Sequence, residues 1–324
     1  MSAAATEAGR LAPSPTGGLH PGHARTFLAA WLLARADGGR VVLRIEDLDS
    51  GRARPGMADQ AIADLRWLGL NWDEGPDVGG PSGPYVQSER SAVFESALAR
   101  LIAAEQVYPC TCTRADVARA AGAPHAEDEG PTYPGTCSGR SPADADTLRD
   151  AGRHFAWRFC TAGSGPVAWD DLARGPTVGD PALQGGDFVV ARSNGSFGYQ
   201  LAVVVDDAAM GVTQVVRGDD LLASTPRQIL VYRALGLAPP QFGHLPLVVG
   251  PDGRRLTKRE DSIKLATLRS SGVDPRRLVG LLAWSLGLSD RVIPTFPADW
   301  VGELDLAGVP RGPWRFEPAG PIAD

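Results

Sequence analysis

His20 and His23 flank a Pro-Gly step in R-L-A-P-S-P-T-G-G-L-H-P-G-H (residues 10–23), which runs directly into the apolar stretch that begins at Thr26. Imidazole N–H groups can donate to phosphoryl oxygens as negative charge builds on them. One such donor contributes roughly 2.7–4 kcal/mol of transition-state stabilisation. Pro13 and Pro15 push the residues before them toward extended geometry, so 10–16 reads as a strand end passing into a loop. Pro21 suits the first position of a helix, where its missing N–H costs nothing. The expected order is strand, loop, helix N-terminus, with both histidines near the positive end of the helix, a place suited to phosphate. It is not a P-loop: His23 stands where that motif has lysine, and Ala24 where it has the Mg²⁺-binding Ser or Thr. The segment also lacks G-x-G-x-x-G, so a dinucleotide site is not signalled.

Other residues could bind an amino acid. Glu46 and Asp47 lie in R-I-E-D-L-D (44–49), Asp206 and Asp207 close an apolar run, and Arg10 and Arg217 are candidate partners for an acid. An α-ammonium needs a carboxylate, and a side-chain carboxylate is best gripped by a guanidinium fork. The plain alternative is that these are surface or loop charges. Cys110, Cys112 and Cys137 form a further cluster. Three thiolates suit Zn²⁺, and a structural site takes a fourth ligand, for which His125 is the chemically commoner type. Reduced, metal-free cysteines are the alternative, and Cys160 reads as a core residue.

The elements that must position these groups follow from periodicity. Val41–Ile45 reads as a buried strand ending at Glu46-Asp47, and with the preceding helix it makes a βαβ unit. Ligands of open α/β sheets collect at the carboxyl ends of strands, which is where Ser14, His20 and Glu46 would meet. Helices are expected over Ala58–Leu70, Ser91–Glu105, Arg227–Leu235 and Leu278–Leu286. Strands are expected over Phe188–Arg192, Leu201–Val205, Thr213–Arg217 and Leu245–Val249. Residues 109–180 are Cys-rich, then Gly-, Pro- and Asp-rich, and read as an insertion. The end of the chain reads as a proline- and tryptophan-containing tail without a domain of its own.

The 324 residues, 43% hydrophobic and 22% charged, are ordinary for a globular protein of about two domains. No apolar run is long enough to span a membrane, and no signal peptide is visible at the N-terminus, so a cytoplasmic location is expected. The net charge of −6 counts against extensive nucleic-acid contact but leaves room for a small basic docking surface.

H-x-G-H, its R-L-A-P-S-P-T-G lead-in and R-I-E-D-L-D together resemble the class I aminoacyl-tRNA synthetases of the glutamyl branch. The resemblance continues in order through G-D-F-V-V-A-R (186–192), Y-Q-L-A-V-V-V-D-D (199–207), V-V-R-G-D-D-L-L (215–222), S-T-P-R-Q (224–228) and R-L-T-K (255–258). It implies an α/β fold: a Rossmann-like class I synthetase catalytic domain with a zinc-containing insertion and a short C-terminal helical region. The implied division is 1–108 and 186–250 for the two halves of the catalytic domain, 109–185 for the insertion, and 251–324 for the signature loop, stem-contact region and tail.

The resemblance also implies roles. Arg10, Ser14, Glu46, Tyr199 and Arg217 match positions that bind glutamate. His20, Gly22 and His23 face ATP with its Mg²⁺, and His20, His23 and Lys258 are catalytic. R-L-T-K resembles the second class I signature, usually K-M-S-K or K-L-S-K, with Arg255 and Thr257 as replacements and Lys258 as the cation brought to the phosphates. Tyr133 matches a tyrosine that joins the three cysteines as a structural Zn²⁺ ligand in short members of the family, with His125 as the alternative. The chain ends at Asp324, which leaves room after Lys258 for one short helical stretch, and no anticodon-binding domain is expected. The pattern resembles the glutamyl-Q tRNA(Asp) synthetase family. Its members activate L-glutamate with ATP without tRNA and esterify it onto queuosine in the anticodon stem-loop of tRNA(Asp). A monomer is the expected state. A minimal enzyme charging a tRNA 3′ end, or a catalytically silent binding module, are the alternatives.

Overall fold

A computed structural model describes residues 7–36, 38–49, 51–121, 132–254, 256 and 264–317. Strand β1 (Ala8–Leu11), helix α1 (Pro21–Ala36) and strand β2 (Arg40–Leu43) form the expected βαβ unit, with β1 and β2 parallel in the register Gly9↔Val41. Helix α1 begins at Pro21 and is buried around most of its circumference, so it is a core helix rather than a surface one. It lies directly on β1. A Cβ placed on Gly9 would sit 2.7 Å from the Cβ of Ala34, so only glycine permits this approach. Helices α2 (Met57–Trp67) and α3 (Ser91–Ala103) follow as expected.

The middle of the chain carries β3 (Val107–Cys110), α4 (Arg114–Ala121), α5 (Asp144–Asp150), β4 (Ala156–Phe159), β5 (Val167–Asp171), β6 (Gly175–Gly179) and β7 (Phe188–Ala191). Strands β3, β4 and β7 make one antiparallel sheet. The β5–β6 hairpin instead joins the catalytic sheet, because β5 pairs in parallel with a later strand at Asp171↔Phe242. The stretch read as an insertion therefore supplies strands to two sheets.

Next come α6 (Tyr199–Ala209), β8 (Gln214–Gly218), α7 (Ser224–Ala234), β9 (Gln241–Leu245) and β10 (Val248–Val249). Strands β8 and β9 are parallel, and the Thr213 N–H donates to the Ala8 carbonyl at 2.9 Å, which ties β1 alongside β8. The carboxyl ends of β1, β2, β8 and β9 thus meet at one edge. Leu201–Val205 is not the strand that its apolar run suggests; it lies inside α6. Residues 201–207 are all buried, so the run has no polar face whose period could separate helix from strand. Leu245–Val249 divides into the end of β9 and β10, with Pro246 between them.

Helix α8 (Leu265–Ser270) and helix α9 (Pro275–Ser285) follow. The start of α9 is set by Asp274, whose side chain accepts from the Arg276 N–H, with Pro275 as its first residue; such a cap contributes about 1 kcal/mol. The C-terminal stretch is packed rather than loose. Strand β11 (Trp314–Arg315) pairs in parallel with β10, and Leu306, Val309 and Phe316 are buried in the same core as α1 and α9. No described helix is long and apolar enough to cross a membrane.

Candidate active site

A cavity of about 380 Å³ opens at the carboxyl ends of these strands. Its walls include Arg10, Ser14, His20, Gly22, His23, Glu46, Tyr199 and Arg217. The strand ends deliver Arg10 from β1, Glu46 just past β2 and Arg217 from β8. The N-termini of α1 and α6 deliver the two histidines and Tyr199. Residues spread over more than half the chain are thus brought to one place. Arg255 and Lys258 of R-L-T-K lie outside the described residues.

The start of α1 fixes the state of both imidazoles. The Gly22 N–H donates to His20 Nδ1 at 3.1 Å, and the His20 N–H donates to His23 Nδ1 at 3.3 Å. Each neutral ring whose Nδ1 accepts must carry its proton on Nε2. Both histidines therefore present an N–H donor at a helix N-terminus, as phosphate binding requires. Their ring centroids are 3.8 Å apart. Gly22 is essential to this packing, because a Cβ there would lie 2.9 Å from the His20 ring and 3.3 Å from Val248 Cβ.

Beneath the cavity lies a buried charge cluster. Arg44 has no exposed surface; it donates to Glu46 Oε1 at 2.8 Å and to Asp207 Oδ1 at 2.7 Å. Burial alone would ease its proton off, but Asp207, Glu46 and Asp206 more than offset this and hold its pKa well above the ordinary value. Asp206 accepts from Arg90 Nε at 2.5 Å and from Gln87 Nε2 at 2.8 Å, yet burial still raises its pKa. Arg10 Nε lies 3.4 Å from Asp207 Oδ1. Arg44 thus holds one oxygen of Glu46, while Asp207 ties Arg44 to Arg10. Sequence reasoning flagged Asp206 and Asp207 as needing a role. The structure makes them the anchors of the two arginines and of Arg90.

Arg217 is held differently. Its Nε donates to His244 Nε2 at 3.0 Å, Nη1 to Gln228 Oε1 at 2.8 Å and Nη2 to Thr225 Oγ1 at 2.8 Å. Burial lowers its pKa. Gln228 is itself oriented by donating to Gln200 Oε1 at 2.8 Å, and Gln200 in turn donates to Ser224 Oγ at 2.9 Å. Thr225 and Gln228 lie in S-T-P-R-Q and Gln200 in Y-Q-L-A, segments whose order was legible although their chemistry was not.

The cysteine cluster lies on the β3–β4–β7 side. The sulfur atoms of Cys110, Cys112 and Cys137 lie within 4.8 Å of one another, and Cys112 Sγ is 3.7 Å from Cys137 Sγ. A tetrahedron with Zn–S of about 2.3 Å has edges of about 3.8 Å, so this spacing fits a metal such as zinc. The Tyr133 hydroxyl lies 3.4 Å from Cys110 Sγ and 3.9 Å from Cys112 Sγ and accepts from the Cys137 N–H at 2.8 Å. His125 lies outside the described residues.

Comparison with known proteins agrees with this geometry. The family model for the catalytic domain of class I tRNA synthetases (E and Q) matches residues 8–292. Glutamyl-Q tRNA(Asp) synthetase of Symbiobacterium thermophilum is 55% identical over 316 residues, 97% of each chain. The protein of the same name from Nitratidesulfovibrio vulgaris is 50% identical over 305 residues, 94% of each chain. Among solved structures, the glutamate-tRNA synthetase of Elizabethkingia anophelis superposes with a TM-score of 0.84 at 28% identity, over 97% of this chain and 68% of that one.

Proposed function

The chain belongs to the class I tRNA synthetases of the E and Q branch, and on that premise we propose that it activates L-glutamate with Mg²⁺-bound ATP without tRNA. It then transfers the glutamyl group to queuosine in the anticodon stem-loop of a cytoplasmic tRNA(Asp). One observation carries the first half: the five proposed glutamate ligands and H-x-G-H line a single cavity. The acceptor rests on the two relatives that bear that name and match nearly end to end.

In this reading Glu46 receives the α-ammonium, and Arg10 and Arg217 meet the carboxylates, with Ser14 and Tyr199 orienting the substrate. An arginine favours the acid over its amide, because an amide presents donors to a donor. The α-carboxylate oxygen attacks the α-phosphorus of ATP in line, and the bond to pyrophosphate breaks. The Nε2–H groups of His20 and His23 and the α1 N-terminus stabilise the charge that develops, together with Arg255 and Lys258. A hydroxyl of the queuosine cyclopentenediol then attacks the acyl carbon of glutamyl-adenylate, AMP leaves and an ester forms. Proximity supplies much of this second step. Cys110, Cys112, Cys137 and Tyr133 would hold one structural Zn²⁺, clamping the β3–β4 region.

ATP–pyrophosphate exchange with glutamate and no tRNA tests the activation. Strict dependence on tRNA would sink it. Incubation with ATP, labelled glutamate and queuosine-containing tRNA(Asp), followed by mass spectrometry of the digested nucleosides, tests the acceptor. Label on the 3′-terminal adenosine would instead assign 3′-end charging, and absence of exchange a binding role.

A further inference from the structure

We propose that Asp171 and His244 form a relay that positions Arg217 through neutral acceptors, so that its charge is reserved for the substrate carboxylate and glutamate is selected over glutamine. The inference rests on the reading above that Arg217 meets a glutamate carboxylate. Asp171 and His244 are 3% and 0% exposed, and neither lines the cavity. They come from neighbouring parallel strands: Asp171 ends β5, and His244 is on β9 beside Arg217 in the β8–β9 register.

The proton positions follow from the hydrogen bonds. His244 Nδ1 lies 2.5 Å from Asp171 Oδ2. Asp171 Oδ1 accepts from the backbone N–H of His244 at 3.1 Å, of Ala173 at 3.1 Å and of Arg174 at 3.2 Å. Burial alone would raise the Asp171 pKa, but the hydrogen bonds and charge of His244 and the backbone N–H groups hold it below the ordinary carboxylate value, so the carboxylate is ionised and the Nδ1 proton belongs to His244. That leaves a lone pair on Nε2, which accepts from the Arg217 Nε–H at 3.0 Å and from the Thr225 hydroxyl at 3.0 Å. The opposite tautomer would set a donor against a donor. An imidazolium would set a second cation beside the guanidinium; burial and Arg217 both oppose it, and the His244 pKa is lowered.

The consequence lies in the kind of partner. Arg44 is hydrogen-bonded to carboxylates. Arg217 is hydrogen-bonded to an imidazole, an amide oxygen and a hydroxyl. Among the described residues no carboxylate is hydrogen-bonded or ion-paired to it. The carboxylate that orients His244 sits one residue further back, on Asp171, where His244, the Trp169 Nε1–H and three backbone N–H groups satisfy it, and Asp207 acts on Arg217 through space without a hydrogen bond or ion pair to it. Arg217 is therefore oriented without being neutralised. A bound carboxylate completes its charge, and a neutral amide does not.

Exchange assays on the full chain, with glutamate and glutamine as alternative substrates, test the relay. Wild-type exchange with glutamate is the reference, and its absence would sink the amino-acid reading rather than the relay. Given that exchange, His244→Leu is expected to raise KM for glutamate roughly tenfold to a hundredfold and to lower the glutamate preference by a similar factor, the loss expected for one hydrogen bond to a charged group. KM for ATP should stay within about threefold, since the histidine pair is untouched. His244→Gln, whose terminal oxygen can accept from Arg217, should recover most of the loss. Asp171→Asn should abolish the downfield Nδ1–H resonance in a proton–nitrogen spectrum and raise KM for glutamate. Wild-type KM and preference in His244→Leu would overturn the relay, as would equal damage from His244→Gln. If His244→Leu does not fold, an unchanged preference in Asp171→Asn overturns it.

Discussion

Replacing Arg44 with Met removes the cation that joins Glu46 to Asp207 while keeping much of the buried volume. Two hydrogen bonds to carboxylates disappear, at 2.8 Å and 2.7 Å, along with a weak one to the Met210 sulfur. Each hydrogen bond to a charged group is worth about 1.5–3 kcal/mol, which gives roughly 3–6 kcal/mol and brackets the ~3–5 kcal/mol for breaking a buried ion pair from one side. Asp206 keeps Arg90 and Gln87, and Asp207 keeps Arg10, so a middle value of about 4 kcal/mol is expected. At about 2.1 cal/mol/K per residue, a chain of 324 residues loses about 6 °C of Tm for that deficit. The deficit should also depend on pH. Burial already raises the Asp206 pKa, and Arg44 is one of the groups that hold it down. Without Arg44 the folded-state pKa rises further above the unfolded value. The stability conferred by protonation is present below the unfolded pKa and lost as pH rises through the folded one. The gap between variant and wild type should therefore be widest near pH ~8 and narrow toward pH ~5. Urea unfolding followed by circular dichroism at both pH values measures this. A variant as stable as wild type, or a gap that does not change with pH, would refute the clamp.

Gly22→Ala should push His20 out of place and lower kcat of pyrophosphate exchange by roughly a hundredfold or more with little change in KM for glutamate, since it removes a donor to the phosphates rather than to the amino acid. If the three cysteines and Tyr133 hold zinc as proposed, Cys137→Ser should abolish zinc binding, read by mass spectrometry of the desalted protein, and unfold earlier than wild type, while Tyr133→Phe should still bind zinc but exchange it faster with a chelator. Asp64 on α2 is buried beside Arg269 of α8, and burial raises its pKa to about 6. Its contribution to stability is present below the unfolded pKa and lost as pH rises through about 6, so Asp64→Asn should be about 1–2 kcal/mol more stable than wild type near pH ~8 and no different near pH ~4. Paired urea midpoints check this.

Much of the architecture was legible because its signals are local. Pro21 announced the start of α1, the apolar run at Val41 announced β2, and Thr213–Arg217 announced β8. Arg10, Glu46 and Arg217 in the cavity wall were legible for a related reason: each sits at or just past a strand end, where a charge beside an apolar run stands out, whereas Ser14 and Tyr199 were reached through the family resemblance. Leu201–Val205 failed the same reasoning because α6 is buried on every side and has no polar stripe. The C-terminal stretch, with little periodicity, gave no sign that Phe316 would be fully buried.

The residues that hold the site were not legible, and the reason is separation along the chain. Arg44 and Asp207 are 163 residues apart, and Asp171 and His244 are 73 apart. Neither pair has a spacing that marks it, because contact between elements far apart in the chain, not a helix turn or a hairpin, brings the partners together: α6 carries Asp207 to Arg44, and the pairing of β5 with β9 carries Asp171 to His244. Asp171 lies in a stretch that reads as an insertion, and only the parallel pairing of β5 with β9 places it behind Arg217. A group that touches a ligand is constrained by the ligand's chemistry, so its type betrays it. A group that touches another side chain need only complement that side chain, and an aspartate or histidine that does so has the same composition as one on the surface. What separates them is burial: His244 is fully enclosed, and a buried imidazole needs partners on both nitrogens. Topology therefore decides which groups orient the arginines. Exchanging Asp171 for a neutral residue should accordingly disturb glutamate binding although Asp171 does not line the cavity.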